Sequence, residues 1–173
     1  CSSDLDAHAT YIRGNLEVRT AWVNGAKIRL NSNHYLCDLA GLITIDRVFP
    51  ELQLQELGRF AISEIRTEVA QQIATDGADY EHSIAYHRFV LEILEYVYWL
   101  LGWEVDGPLE RLRLFAQAAT HPDGSFAQCG DNDSGYILPG FLPEIAPTRS
   151  SQAFGQSGFY SLRAPDTHVF VSA

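Results

Sequence analysis

The segment from Glu81 to Trp103 constrains the fold most, because it is apolar on nearly every side. Its only charges beyond the first turn are Arg88, Glu92 and Glu95. These three side chains lie at i, i+4 and i+7, so on a helix they form one narrow stripe. A helix of this kind is covered by other elements on most sides. The sequence therefore predicts a central helix that needs neighbours.

Four more helices are predicted from apolar residues at helical spacing. The helices are separated by short turns, and they are expected over residues 4–20, 33–48, 51–73 and 107–119. Successive helices with short connections are typical of a layered α/α architecture. A loop rich in Gly, Pro, Ser and Asp follows as far as Gln156, and residues 158–163 and 168–171 have the pattern of two strands. We therefore expect a mainly α fold that is followed by the start of an antiparallel β-domain.

The composition excludes several classes of protein. The chain has 173 residues and a formal net charge of −10, which argues against a general binder of nucleic acid or of anionic membranes. No apolar run free of charges approaches the length of a membrane span. The three cysteines lack the spacing of a zinc site or of a disulfide framework, so neither is indicated. No cofactor is expected in this piece of the protein. The chain contains no methionine, and we interpret it as a piece of a longer protein.

The stretch from Asn31 to Leu36 places polar side chains at the predicted start of an apolar helix. Backbone N–H groups and the positive end of the helix dipole then lie beside the Asn33 amide and the His34 imidazole. Such a site suits a carboxylate ligand. From these residues alone a second interpretation stays open, in which Asn33 caps the helix and His34 is a core histidine.

Two further polar clusters stand at the ends of predicted helices. In the first, Tyr86 lies on the uncharged side of the central helix, and His82 is expected one turn earlier on the same face. In the second, Asp131 and Asp133 could form a paired-carboxylate site or could bond their own backbone in a turn. A calcium-binding EF-hand loop is excluded because its position 12 would be Leu142 instead of Glu.

Taken together, these motifs resemble the heparinase II/III-like family of polysaccharide lyases, of the alginate lyase and heparinase type. The similarity spans most of the chain and keeps the order of the motifs. The matching segments are His8 with Asn15-Leu16-Glu17, Asn33-His34-Tyr35-Leu36 with Gly41-Leu42, Asp76-Gly77 with Glu81-x-Ser83-x-x-Tyr86-His87-Arg88, Pro122-Asp123-Gly124 with Gly130-Asp131-Asn132-Asp133, and Ser157-Gly158. The family usually has an Arg after the last Gly of the Asp-rich motif, whereas this chain has Tyr136.

The resemblance implies β-elimination at a uronic acid. Asn33 would neutralise the carboxylate, Tyr86 would transfer protons as acid and base, and His34 would assist as a catalytic residue. The expected substrate-binding residues are His82, His87, Arg88, Asp131 and Asp133. A further catalytic His and a metal site belong to the family's β-domain, and His168 does not match them.

The resemblance also implies an incomplete (α/α) toroid of antiparallel helix hairpins over residues 1–148. Residues 149–173 would then be a linker and the first strands of a β-sandwich, whose open edge could pair with another copy of the chain. The expected partner is an acidic polysaccharide, the expected location is periplasmic or secreted with the cytoplasm not excluded, and this piece alone is expected to be inactive. Two alternatives stay open, namely a non-catalytic glycan-binding or polysaccharide-biosynthesis protein on the same fold and a glycoside hydrolase that uses Asp131 or Asp133.

Overall fold

The structure, a computed structural model, describes residues 2–132, 136–138, 140–142 and 144–173. Within these residues the chain is mainly helical, with five α-helices, one short 3₁₀ helix and two small antiparallel sheets. The helices are α1 (Ser2–Gly14), α2 (Asn33–Val48), α3 (Gln55–Gln72), α4 (Ile84–Leu101) and α5 (Gly107–Ala119), with the 3₁₀ helix at Pro50–Leu52. The strands are β1 (Thr20–Val23), β2 (Ala26–Arg29), β3 (Gln152–Phe154), β4 (Phe159–Ala164) and β5 (Thr167–Ser172).

The chain divides into two compact units, residues 1–70 and residues 71–173, and each is described by itself. All five predicted helices are confirmed, and α2 has the predicted bounds. The first helix was expected to reach Thr20, but it ends at Gly14 because the following residues form a β-hairpin. In that hairpin Asn24 and Gly25 have φ angles of 51° and 81°, which are the left-handed conformations that a tight two-residue turn requires.

A polar network ties the first unit together. The Arg29 guanidinium of β2 lies 2.7 Å from Glu64 of α3, and the Tyr35 hydroxyl of α2 donates to the same carboxylate at 2.6 Å. Burial, followed by the hydrogen bond to Glu64, raises the pKa of Tyr35 to about 12. The Asn31 amide donates to the buried Glu68 at 2.7 Å. Side chains from three elements therefore hold the start of α2 in place.

The core of the second unit centres on Phe115 of α5. The rings of Phe154, Phe159 and Phe170 lie 4.6, 5.4 and 5.9 Å from its ring, so all three strands of the sheet contribute to this core. The sheet order is β3-β4-β5, and both pairs are antiparallel. The two predicted strands are confirmed as β4 and β5, whereas β3 lies in the segment that was expected to be loop. A helix-backed, three-stranded sheet can persist where a lone hairpin is marginal.

Two side chains fasten the strands to the rest of the second unit. The Arg163 guanidinium of β4 donates to the carbonyl oxygens of Ala118 and Thr120, at the C-terminal end of α5. Asp76, between α3 and α4, accepts hydrogen bonds from the backbone N–H groups of Gln156 and Ser157 at 3.0 and 2.9 Å. These contacts connect the β4 strand and its preceding turn to the helical part of the unit.

The three charges of the α4 stripe all hold neighbouring segments. Arg88 lies over the Tyr136 ring at 3.8 Å from its centroid, and Glu92 accepts the backbone N–H of Leu138 at 2.9 Å. Two N–H groups of Arg113 in α5 donate to Glu95. Arg88 and Glu92 are 8% and 1% exposed, so the stripe is an anchoring face and is not a solvated one. Among the described residues, no helix has the length and apolarity that crossing a membrane requires.

Candidate functional site

Tyr86 lies in the first turn of α4, where Ser83 caps the helix. The Ser83 hydroxyl oxygen accepts the backbone N–H of Tyr86 at 3.2 Å, the usual N-cap bond to the third helical residue. This cap explains why α4 begins at Ile84, three residues later than the predicted start at Glu81. Tyr86 is half-buried, and the hydrogen bond that its hydroxyl makes is exposed, so this oxygen is not sealed in the core.

The segment Cys129-Gly130-Asp131 packs directly against this helix start. The carbonyl oxygen of Cys129 accepts the N–H of Ile84 at 3.0 Å, and the Ser83 hydroxyl donates to the Asp131 carbonyl. Gly130 has a φ of +81°, and a Cβ atom there would lie only 2.6 Å from the His82 carbonyl oxygen. Only glycine therefore allows this close approach without a shift of the backbone.

This packing brings Asp131 and Tyr86 together. The Tyr86 hydroxyl donates to Oδ2 of Asp131 at 3.1 Å, while Oδ1 of Asp131 accepts the backbone N–H of Asn132 at 2.9 Å. The two carboxylate oxygens thus have separate partners. The structure gives Asp131 both the backbone-bonding role that a turn requires and a side-chain contact with the predicted catalytic residue.

His82 does not occupy the position that helical spacing predicted. It precedes the Ser83 cap, has a left-handed φ of 55°, and therefore lies outside α4. The prediction that it lies one turn before Tyr86 on the same helix face is wrong for this reason. Its ring is exposed and lies 5.5 Å from the Phe159 ring.

His87 is held inside the second unit by both of its ring nitrogens. Nδ1 accepts the backbone N–H of Asp79 at 3.3 Å, and Nε2 lies 3.0 Å from the Leu112 carbonyl oxygen, to which it donates. The side chain is 1% exposed, and burial lowers its pKa to about 4. A neutral, doubly bonded imidazole has no nitrogen left for a sugar, so His87 takes no part in the site that we propose below.

Arg88 faces away from Tyr86 and lines a cavity of about 490 Å³. Tyr86 is not among the described residues that line this cavity. The polar lining includes the amides of Gln128 and Asn132 and the carboxylate of Glu144. Arg88 therefore lines a concave surface of mixed polar and apolar character, and its expected substrate contact remains a prediction.

Asn33 and His34 begin α2 in the first unit. Ser32 is the N-cap but makes no side-chain cap bond, and Asn33 is the first helical residue. Asn33 is 5% exposed, whereas the His34 side chain is 56% exposed, so His34 is not a core histidine. Nδ1 of His34 lies 3.2 Å from the Glu17 carboxylate, which orients the imidazole.

The predicted residue Asp133 lies outside the described residues. Within the residues that are described, no group of three or more His, Cys, Asp or Glu side chains is arranged to hold a metal ion. The described candidates therefore fall into two sets. Asn33 and His34 adjoin each other in the first unit, and Tyr86 and Asp131 touch each other in the second.

A family model matches the part of the chain that contains most of these motifs. The model described as Heparinase II/III N-terminus matches residues 10–101, more than half of the chain and a range that contains Asn33, His34 and Tyr86. The chain belongs to the heparinase II/III family. No curated protein matches the sequence of this heparinase II/III-family chain.

Two solved structures share the fold of this family member. A heparinase III with methylated lysines is 19% identical, with a TM-score of 0.64 over 96% of this chain and 30% of its own length. A second heparinase III is 18% identical, with a TM-score of 0.62 over 82% of this chain and 29% of its own length. At this identity the similarity shows the fold, and the chain spans less than a third of the proteins it matches.

Three residues of this heparinase II/III-family chain have site contacts that the sequence interpretation did not assign. Ser83 and Gly130 position Tyr86 and Asp131, and Glu17 orients His34. All three belong to the motif segments, so the sequence did mark them as candidates. It did not show which of them lie together, because Gly130 contacts Ser83 only after the chain has folded back across α4 and α5.

Proposed function

We propose that this chain is part of a polysaccharide lyase that cleaves uronic-acid-containing glycans by β-elimination. The observation that carries the proposal is the family match, because it covers Asn33, His34 and Tyr86 in the order of the family's motifs. The exposed hydrogen bond of the Tyr86 hydroxyl supports it, since a catalytic oxygen has to be within reach of the substrate.

In the proposed reaction a uronic-acid carboxylate is neutralised so that the neighbouring C5 proton becomes acidic. An amide donor at the start of a helix suits the negative charge that develops on this carboxylate, so we assign that role to Asn33. His34 would add a second donor, and its Nδ1 lies 3.2 Å from the Glu17 carboxylate. Tyr86 would accept the C5 proton and protonate the departing C4 oxygen, because a phenol both accepts and donates.

The proposal extends to the architecture and the partner. The five helices would form part of an incomplete (α/α) toroid over residues 1–148, and β3 to β5 would begin a β-sandwich over residues 149–173. The similarity in fold to two heparinase III structures supports this assignment. The partner would be an acidic polysaccharide, with Arg88 as one cation that lines the cavity in a chain of net charge −10. Association through the edge of the sheet stays a prediction.

The test is lyase activity of the full-length protein on heparan sulfate and on alginate, followed by the ultraviolet absorption of unsaturated uronides. Tyr86→Phe and Asn33→Ala should each lower kcat/KM by roughly 10²-fold or more. Tyr96→Phe is the matched control, because it removes a hydroxyl from the same helix and should leave activity unchanged.

A hydrolase would leave new reducing ends without the absorbance, and a binding protein would leave the glycan intact. Either result with the unsubstituted protein would overturn the proposal. Full activity of Tyr86→Phe on a cleaved substrate would overturn the role assigned to this residue.

A further inference from the structure

We propose that Asp131 is a positioning residue that acts through Tyr86, receiving the phenol proton while the phenol oxygen accepts a proton from the substrate. This inference rests on the proposed function. It assigns Asp131 a place in proton transfer instead of the sugar contact that the sequence suggested. The observation behind it is the 3.1 Å hydrogen bond from the Tyr86 hydroxyl to Oδ2 of Asp131.

The position of this carboxylate is built by its surroundings. Cys129 and Asp131 are each tied through a carbonyl oxygen to the first residues of α4, and Gly130 allows the backbones to approach. Ser83 links both partners, because its oxygen accepts the N–H of Tyr86 while its hydroxyl donates to Asp131. A shift of the loop relative to the helix would break several hydrogen bonds at once. The backbone of Asp131 is therefore held against the start of α4, and its exposed side chain reaches the phenol through the hydrogen bond to Oδ2.

The two oxygens of Asp131 differ in what they can do. Oδ1 is occupied by the Asn132 N–H, so its lone pair is directed at a donor that keeps its proton. Oδ2 faces a phenol, which can give its proton up. The carboxylate is thus held by one oxygen and available for proton transfer through the other.

The negative charge of Asp131 determines how Tyr86 can serve as a base. A carboxylate beside the phenol opposes a second negative charge, so formation of a phenolate is disfavoured at the resting site. A neutral phenol can still accept a proton if its own proton leaves at the same time. Asp131 provides the acceptor for that proton.

The steps balance without a further reactant. As the C5–H bond breaks, its proton binds the Tyr86 oxygen, the earlier phenol proton moves to Oδ2 of Asp131, and the electron pair stays on the sugar. That pair forms the C4–C5 double bond while the C4–O bond breaks toward oxygen. The departing oxygen takes a proton from Tyr86, and Asp131 returns its proton to the phenol. Both side chains end in their starting states.

The first test compares pH profiles of the full-length protein acting on whichever of heparan sulfate or alginate it cleaves. Asp131→Asn should lower kcat at neutral pH by roughly 10-fold or more, and the remaining activity should rise with pH because it now requires a phenolate. Asp131→Glu should recover part of the loss, since it restores a carboxylate. Glu110→Gln, the same type of change at an exposed residue of α5, should keep the parental profile.

A second measurement does not require activity. With ¹³C-labelled tyrosine, the Cζ resonance of Tyr86 is identified by its loss in Tyr86→Phe and is titrated by NMR. Removal of the neighbouring negative charge in Asp131→Asn should move this titration to lower pH by about one unit or more. An unchanged titration would overturn the contact itself.

The results separate the two proposals. If Tyr86→Phe is inactive while Asp131→Asn keeps the parental rate and profile, the role of Asp131 is overturned and the lyase assignment stands. If Tyr86→Phe is fully active, the assignment of Tyr86 fails and the role of Asp131 fails with it. Loss of activity in Asp131→Asn without a change in the slope of the pH profile would also contradict the relay.

Discussion

The carboxylate of Asp76 accepts hydrogen bonds from both the backbone N–H and the hydroxyl of Ser157, at 2.9 and 3.0 Å. The two residues are 81 positions apart in the chain. Both belong to segments that carry the family resemblance, and the contact explains why these segments occur together. Asp76 holds the turn between β3 and β4 against the connection from α3 to α4, so these two motif segments have a structural role.

Replacement of Asp76 by Ala should therefore loosen the sheet of the second unit. The N–H groups of Gln156 and Ser157 would lose a charged acceptor, and Ser157 is buried, so we expect a loss of about 2 to 3 kcal/mol in the free energy of unfolding. Urea denaturation would measure this loss. Hydrogen exchange should become faster at residues 156 and 157.

Asp123→Ala provides the comparison for this prediction. Asp123 also accepts a backbone N–H and a hydroxyl, both from Ser125, but the contact spans only two residues and is exposed. Its replacement should change stability less. Equal losses in the two variants would show that the long-range connection made by Asp76 contributes nothing of its own.

Replacement of Gly130 by Ala should destabilise the protein and disturb Tyr86. A Cβ atom would lie 2.6 Å from the His82 carbonyl oxygen and 2.8 Å from the Ser83 Cα, so the loop must move away from α4. We expect a loss of about 3 kcal/mol, part of it from the left-handed φ and part from overpacking. Urea denaturation would measure the loss, and the Tyr86 Cζ resonance would report on the loss of its contact with Asp131.

Gly140→Ala separates the two contributions. Gly140 has the same φ of +81°, but among the described residues no atom beyond its chain neighbours lies within 4 Å of the position where its Cβ would be. This variant should lose only about 1 kcal/mol, the cost of the backbone conformation. A loss as large as that of Gly130→Ala would argue against the close packing of loop and helix.

The stability of the second unit should depend on the protonation of Asp79. Burial raises the pKa of this carboxyl to about 7, and the side chain is 2% exposed. The folded state therefore retains a proton that the unfolded state releases near its ordinary pKa of 3.8. The stabilisation is fully present below about pH 4, and it is lost as the pH rises through about 7.

Asp79→Asn should remove this dependence. At pH 4 the variant and the parent should be similar, because a protonated carboxyl and an amide have nearly the same shape. By pH 8 the variant should be more stable than the parent by up to about 4 kcal/mol. His87, whose Nδ1 accepts the Asp79 N–H, titrates in both proteins and cancels in the difference. A difference that does not vary with pH in denaturant titrations would contradict the prediction.

The helices could be predicted from the sequence because their signals are local. Leu36, Leu39 and Ile43 recur at helical spacing, and all three are buried in α2. The strand β3 has only three residues in a loop-like composition, and it exists because Phe154 packs on Phe115. A contact of this kind, between residues far apart in the chain, leaves no periodic pattern. The β1–β2 hairpin could have been found from Asn24-Gly25, which is a strong hairpin-turn signal.

The same distinction holds for the candidate site. The residue types of the Tyr86 and Asp131 clusters could be recognised separately. The sequence did not show that the Tyr86 hydroxyl donates a hydrogen bond to the Asp131 carboxylate. His82 was misplaced because ideal spacing was extended past Ser83, whose side chain ends the helix there. The role of His87 could not be predicted either, because the Leu112 carbonyl that accepts its proton belongs to another helix.

The hydrogen bonds from Arg163 to the end of α5 have a consequence for how this helix folds while the protein is being synthesised. The last carbonyl oxygens of a helix need partners, and those of Ala118 and Thr120 find theirs in a side chain that is translated later. While the chain emerges from the ribosome, the end of α5 must rely on water until β4 has been synthesised. We expect this turn to fray on the nascent chain. On a ribosome stalled before Arg163 has emerged, the last turn of α5 should therefore be less ordered than in the finished protein.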